Sequence, residues 1–153
     1  DKEYFEHIKP IIACMGKNIF YMGENGVASA VKLINQLLFF TNIMNVCEAV
    51  YFAAKAGVDN KAWLEVVGTG SGNSYALQNR LNDYIIPDRY DPGVNVSLAL
   101  KDVELILLEA EELKIDLPLI SLAKKRLIAI KESGITDKDI SIIWKYYKEI
   151  VKY

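Results

Sequence analysis

Residues 23–57 read GENGVASAVKLINQLLFFTNIMNVCEAVYFAAKAG, and this stretch decides the fold. Between Val27 and Ala54 nearly every position other than Lys32, Asn35, Gln36, Thr41, Asn42, Asn45 and Glu48 is apolar or small. With no turn signal between Gly26 and Gly57, it predicts one helix about 45 Å long at ~1.5 Å per residue. So few polar residues cannot make a wide solvent face, and such a helix is buried nearly all round. The expected fold is therefore all-α, a helical bundle in which the rest of the chain jackets one long central helix.

Lys32 is what that helix does not explain. At ~100° per residue, Ser29, Lys32, Asn35 and Gln36 share one side, with Asn42 two turns on and Glu48 roughly opposite. The ammonium thus has no carboxylate on its own face. An unpaired lysine on a buried helix is costly unless water or a ligand reaches it, which suggests an amine in a cleft beside carboxamides. Alternatively it sits near the helix end and its stem carries the charge to solvent. Spacing alone leaves both readings open.

Composition narrows the function classes. A chain of 153 residues can bury a core of its own, and 52% hydrophobic residues favour a folded chain throughout. The net charge of −2, with basic and acidic residues interspersed, provides no basic face for nucleic acid. Cys14, Cys47 and the single histidine, His7, lack metal-ligand spacing, so no metal site is expected. Both cysteines read as buried, reduced thiols of a cytoplasmic protein. The uncharged run Leu33 to Cys47 is shorter than the ~20 residues of a membrane span, and no membrane partner is expected. The charged start, Asp1-Lys2-Glu3, is not a signal peptide, and without an initiator methionine the chain reads as a fragment or a processed product.

Taken in order, Tyr4, Phe5, Ile8, Ile11, Ile12 and Met15 have helical spacing, with Pro10 expected to kink or split the helix. Residues 18–22 then read as a short strand. Asp59 should cap a short helix through Val67. The glycines of residues 68–72 follow a helix rather than a strand, so they suit a connector better than a phosphate cradle, with Ser71, Asn73 or Ser74 capping the next helix. A helix over 75–86 and a turn over 87–93 precede a strong helix over 95–114, with Leu98, Val103, Leu105, Ile106, Leu108 and Leu113 as candidate core. Taken alone, Lys101 and Asp102 are an ordinary exposed pair on it. Pro118 suits the first turn of a further helix ending at Gly134. Thr136 with Asp139 three residues on predicts a capped last helix to about Val151, whose Trp144, Tyr146, Tyr147 and Tyr153 suit packing.

The run from Gly23 through Gly26, Lys32, Asn35 and Gln36, then Glu48-Ala49 and residues 56–59, resembles the start of the helical domain of the β-hydroxyacid dehydrogenases. That family includes 3-hydroxyisobutyrate dehydrogenase, tartronate semialdehyde reductase and 6-phosphogluconate dehydrogenase. The likeness continues through Ser74, residues 91–93, Lys101 to Leu105 and Leu117-Pro118 to Gly134 and Asp139, nearly the whole chain. It implies that residues 1–22 are the last helix and strand of a nucleotide-binding domain, and that 23–153 form an all-α catalytic and dimerisation domain.

The resemblance also implies an activity, the interconversion of a short 3-hydroxyacid and its semialdehyde with NAD or NADP. Lys32 would be the general acid/base, and Asn35, Gln36 and Gly26 would bind substrate. Lys101 and Asp102 would lie at the cofactor, the aspartate helping to position the lysine region. A homodimer or homotetramer is expected. Gln36, Ala28 and Val94 stand where the family commonly has Asn, Gly and Phe, which bears on substrate identity. The family's dinucleotide loop and its serine-glycine-glycine segment do not occur here, so the fragment alone should be inactive. Two other classes fit the scaffold: a non-catalytic interaction or dimerisation module, and an imine reductase.

Overall fold

Several of the local signals act where the sequence puts them. In the computed structural model, which describes residues 1–91 and 93–147, the chain divides into two compact units, Asp1–Asn35 and Gln36–Tyr153. In the first, α1 (Lys2–Ile12) starts at Asp1, whose carboxylate accepts from the Glu3 N–H, and it runs through Pro10 as one element. None of its residues is buried, and Phe5 packs against Tyr21 at 5.2 Å between ring centroids. Residues 18–22 form no strand, because a lone strand has no neighbour to take its N–H and C=O groups. Gly23 and Gly26 have φ of +91° and +96°, a left-handed backbone that glycine adopts without Cβ strain, and α2 (Val27–Ala56) follows.

Residues of α2 up to Asn35 belong to the first unit and those from Gln36 to the second. In the second unit Asp59 caps α3 (Asn60–Val67), its carboxylate accepting from the N–H groups of Lys61 and Ala62. Ser74 caps α4 (Tyr75–Arg80), which continues as a π-helical turn, Leu81–Ile85. Asn95 caps α5 (Val96–Glu112), and Pro118 opens α6 (Pro118–Glu132). A 3-10 helix, Ile140–Tyr146, completes the described chain.

The long helix is not buried all round. Its buried residues run from Phe40 to Ala53, whereas Val27 and Val31 are 40% exposed, Ile34 57% and Leu38 56%. By length and hydropathy α2 would also pass for a membrane span, but its second half supplies the bundle core through Phe40, Ile43, Cys47 and Val50.

Two other expectations are corrected. Leu98, Leu105, Leu108 and Leu113 are exposed, and α5 instead buries Val96, Ala99, Leu100, Val103, Ile106 and Ala110, mainly against α6. This helix is apolar on two faces, so its period could not say which face packs, and the smaller one allows α6 to approach. The last element is not capped by Thr136. Asp139 is the cap, accepting from the Ser141 N–H, because residues 136–140 are already bonded to the chain before and at the start of α5: Val96 N to Lys138 O, Ser97 N to Thr136 O, and Ile140 N to Val94 O. Its expected extension to Val151, Tyr153 included, lies outside the described residues.

Candidate active site

The residues singled out in the sequence fall in both units. Gly26, Lys32 and Asn35 belong to the first and are all exposed. Gly26 uses its positive φ to enter α2, and its carbonyl accepts from the Ala30 N–H. Lys32 lies about one and a half turns from the start of α2 and is exposed.

In the second unit the structure brings Gln36 and Asp102 together. Gln36 Nε2 donates to Asp102 Oδ2 at 2.9 Å, joining α2 to α5 across 66 residues of sequence. An ionised carboxylate only accepts, so this contact decides which end of the carboxamide faces α5. Asp102 is half-buried, whereas its neighbour Lys101 is exposed beside it.

What holds the start of α5 was not visible in the sequence. Asp139 is fully buried: Oδ2 accepts from the Val94 N–H at 3.0 Å, and Oδ1 accepts from both the N–H and the hydroxyl of Ser141. Arg80, 5% exposed, faces it at 3.6 Å. The Arg80 guanidinium lies over the rings of Phe39 on α2, at 5.2 Å, and Tyr84, at 4.8 Å, while its Nε has no hydrogen-bond partner among the described residues. The spacing marked Asp139 only as the carboxylate three residues after Thr136, and nothing in it marked Arg80 as its counter-ion.

A second buried cation, Arg126, lies further along α2, at Glu48. Arg126 pairs with Glu48 at 2.9 Å and lies 4.7 Å over the Tyr147 ring, whose hydroxyl donates to the same carboxylate. Burial, together with the hydrogen bond to Glu48, raises the Tyr147 phenol above its ordinary range. Glu48 and Tyr147 also line an open groove with Tyr51, Phe52, Trp63 and Asn73, which contains none of Lys32, Gln36, Lys101 or Asp102.

Of the two thiols expected to be buried, Cys47 is and Cys14 is exposed. Desolvation pushes the Cys47 thiol from 9.0 to about 12, and burial pushes the Tyr90 phenol to about 12, although Trp144 Nε1 donates to its oxygen. Both groups ionise later in the folded chain than in the unfolded one, so above pH 9 the unfolded state binds fewer protons. Stability should be full below pH 9 and fall as the pH rises toward 12, with Cys47→Ala reducing the slope by about one proton in denaturant titrations. An unchanged slope would show that the buried thiol does not govern the alkaline loss.

The chain is similar to known proteins along most of its length. The family model described as NAD-binding of NADP-dependent 3-hydroxyisobutyrate dehydrogenase matches residues 26–147. The 2-(hydroxymethyl)glutarate dehydrogenase of Eubacterium barkeri is 29% identical over 146 residues, covering 95% of this chain and 48% of that protein. The 2-hydroxy-3-oxopropionate reductase of Escherichia coli K12 is 35% identical over 118 residues, 77% of this chain and 40% of that one. The crystal structure of 3-hydroxyisobutyrate dehydrogenase from Salmonella typhimurium superposes with a TM-score of 0.85 at 30% identity, covering 92% of this chain and 50% of that one. The chain thus spans about half the length of these relatives or somewhat less. With the model matching from the glycine turn before Lys32 to Tyr147, the chain belongs to the family of the NAD-binding domain of NADP-dependent 3-hydroxyisobutyrate dehydrogenase.

Proposed function

We propose that this chain is the helical part of an NAD(P)-dependent oxidoreductase that interconverts a short 3-hydroxyacid and its semialdehyde, with Lys32 as the general acid/base. Residues 1–22 are assigned to the end of a nucleotide-binding domain and 23–153 to the catalytic and dimerisation domain. The observation that carries this reading is the hydrogen bond from Gln36 to Asp102. Both of its partners lie in the second unit, and each belongs to a motif on which the family resemblance rests.

The side chains suit one end of a nicotinamide dinucleotide. Ammonium groups at Lys32 and Lys101 and the carboxamides of Asn35 and Gln36 match a carboxylate, a hydroxyl and a nicotinamide amide. A pyrophosphate wants a glycine-rich turn between a strand and a helix, whereas the glycines of residues 68–72 follow α3. The phosphates are therefore left to the nucleotide-binding domain.

When bound, the nicotinamide supplies the hydride chemistry. Lys32, as a neutral amine, takes the proton from the substrate hydroxyl in oxidation and, as an ammonium, returns it to the carbonyl oxygen in reduction. Asn35 and Gln36 orient the hydroxyl and carboxylate, and Asp102 fixes the face that Gln36 presents. Gly26 lets the backbone approach the substrate closely, and Lys101 holds the cofactor or the substrate carboxylate. The exposed leucines of α5 and α6, Leu98, Leu105, Leu108, Leu119 and Leu122, support a homodimer or homotetramer. The interspersed charges support a cytoplasmic enzyme without nucleic-acid or membrane partners.

The test is nicotinamide absorbance in the complete native polypeptide, with short 3-hydroxyacids plus NAD or NADP, and with semialdehydes plus the reduced cofactors. Turnover of at least one hydroxyacid/semialdehyde pair is expected. No turnover of any pair, with cofactor binding intact, overturns the reading.

A further inference from the structure

The bond between Gln36 and Asp102 is only as well placed as the start of α5, and α5 starts at a loop held by a buried charge. Asp139 Oδ2 accepts from the Val94 N–H, two residues before α5, and residues 136–140 pair with 94–97 on either side of it. Arg80 faces the same carboxylate and stacks on Phe39, one turn beyond Gln36 on α2. One guanidinium therefore touches, directly or through Asp139, both helices that the Gln36–Asp102 bond joins.

This is an uneconomical way to hold a core together. A buried ion pair seldom gains more than apolar residues of the same volume would, and the Arg80 Nε, without a partner among the described residues, adds a desolvation cost. What a charge pair offers beyond apolar packing is direction. Gly93 shows how closely the loop is fitted here, since a Cβ on it would lie 2.0 Å from the Tyr84 hydroxyl and 3.0 Å from Asp139 Oδ2.

We propose that Arg80 and Asp139 are positioning residues for the reaction, setting the register of α5 against α2 so that Asp102 holds the Gln36 carboxamide toward substrate. The inference rests on the function proposed above. In the complete enzyme, Arg80→Met keeps an apolar stem against Phe39 and Tyr84 but releases Asp139. It should lower kcat about 10- to 100-fold, the loss typical of misplacing a substrate-orienting group. In a Gln36→Ala background the same change should cost less than about twofold more, because residues acting through one contact are not additive. A purely structural role would give the full loss in both backgrounds, and that result overturns the proposal.

A second readout does not need turnover. The side-chain amide resonance of Gln36, assigned by its disappearance in Gln36→Ala, should shift in Arg80→Met, and an unmoved resonance also overturns the proposal. If the wild-type enzyme turns over no hydroxyacid while that resonance moves, the reaction is wrong and the positioning stands. Should Arg80→Met fail to fold, Arg80→Lys keeps a charge opposite Asp139 without the planar stack on Phe39, and the same two measurements apply.

Discussion

Replacing Lys32 by alanine in the complete enzyme is expected to lower turnover by about 10²- to 10⁴-fold, the usual contribution of a positioned acid/base. The fold should be unaffected, because Lys32 is exposed and forms none of the core. Melting and sedimentation should therefore match the wild type while kcat collapses. Lys32→Arg is expected to fail almost as badly. It restores the positive charge, but a guanidinium does not give up its proton near neutral pH. That contrast separates proton transfer from simple charge attraction, in which arginine would serve. Turnover indifferent to both changes would leave the fold standing and remove Lys32 from the mechanism.

The largest stability effect should come from a residue distant in sequence from Lys32. Asp139→Ala strands the Arg80 guanidinium, 5% exposed, without its counter-ion and leaves the Val94 N–H and the Ser141 hydroxyl without their acceptor. Breaking one side of such a pair costs about 3–5 kcal/mol, a large share of a domain's stability. Urea unfolding should show the midpoint falling with little change in the slope. Ser141→Ala, which removes one hydrogen bond to the same carboxylate, should cost only about 1 kcal/mol. Equal small losses in both variants would mean that Arg80 finds another partner or reaches water when Asp139 is gone.

Much of the architecture was legible before any coordinates. Asp59 caps its helix by hydrogen bonds to N–H groups two and three residues on, Ser74, one of the three residues expected there, caps the next, and Pro118 marks the first turn of α6. These are short-range effects, decided within a single turn. Lys32, Asn35 and Gln36 were legible as neighbours for the same reason, since α-helical spacing places them on one side. The Lys101-Asp102 pair was readable only through the resemblance, because a lysine and an aspartate on an amphipathic helix are ordinary surface residues by themselves.

Contacts between elements distant in sequence were not legible. The sequence by itself determined that Gly26 to Ala56 is a long apolar helix, that the chain is all-α, and that Lys32 has no carboxylate on its own face. Only the tertiary structure decided that α5 packs through Ala99, Leu100, Val103 and Ile106 rather than through Leu98, Leu105 and Leu108, that Asp102 is the partner of Gln36, and that Arg80 is the counter-ion of Asp139. The physical reason is range. Helix geometry and capping are fixed by residues within four positions of each other, whereas the choice between two apolar faces and the pairing of buried charges depend on which helices come to lie side by side.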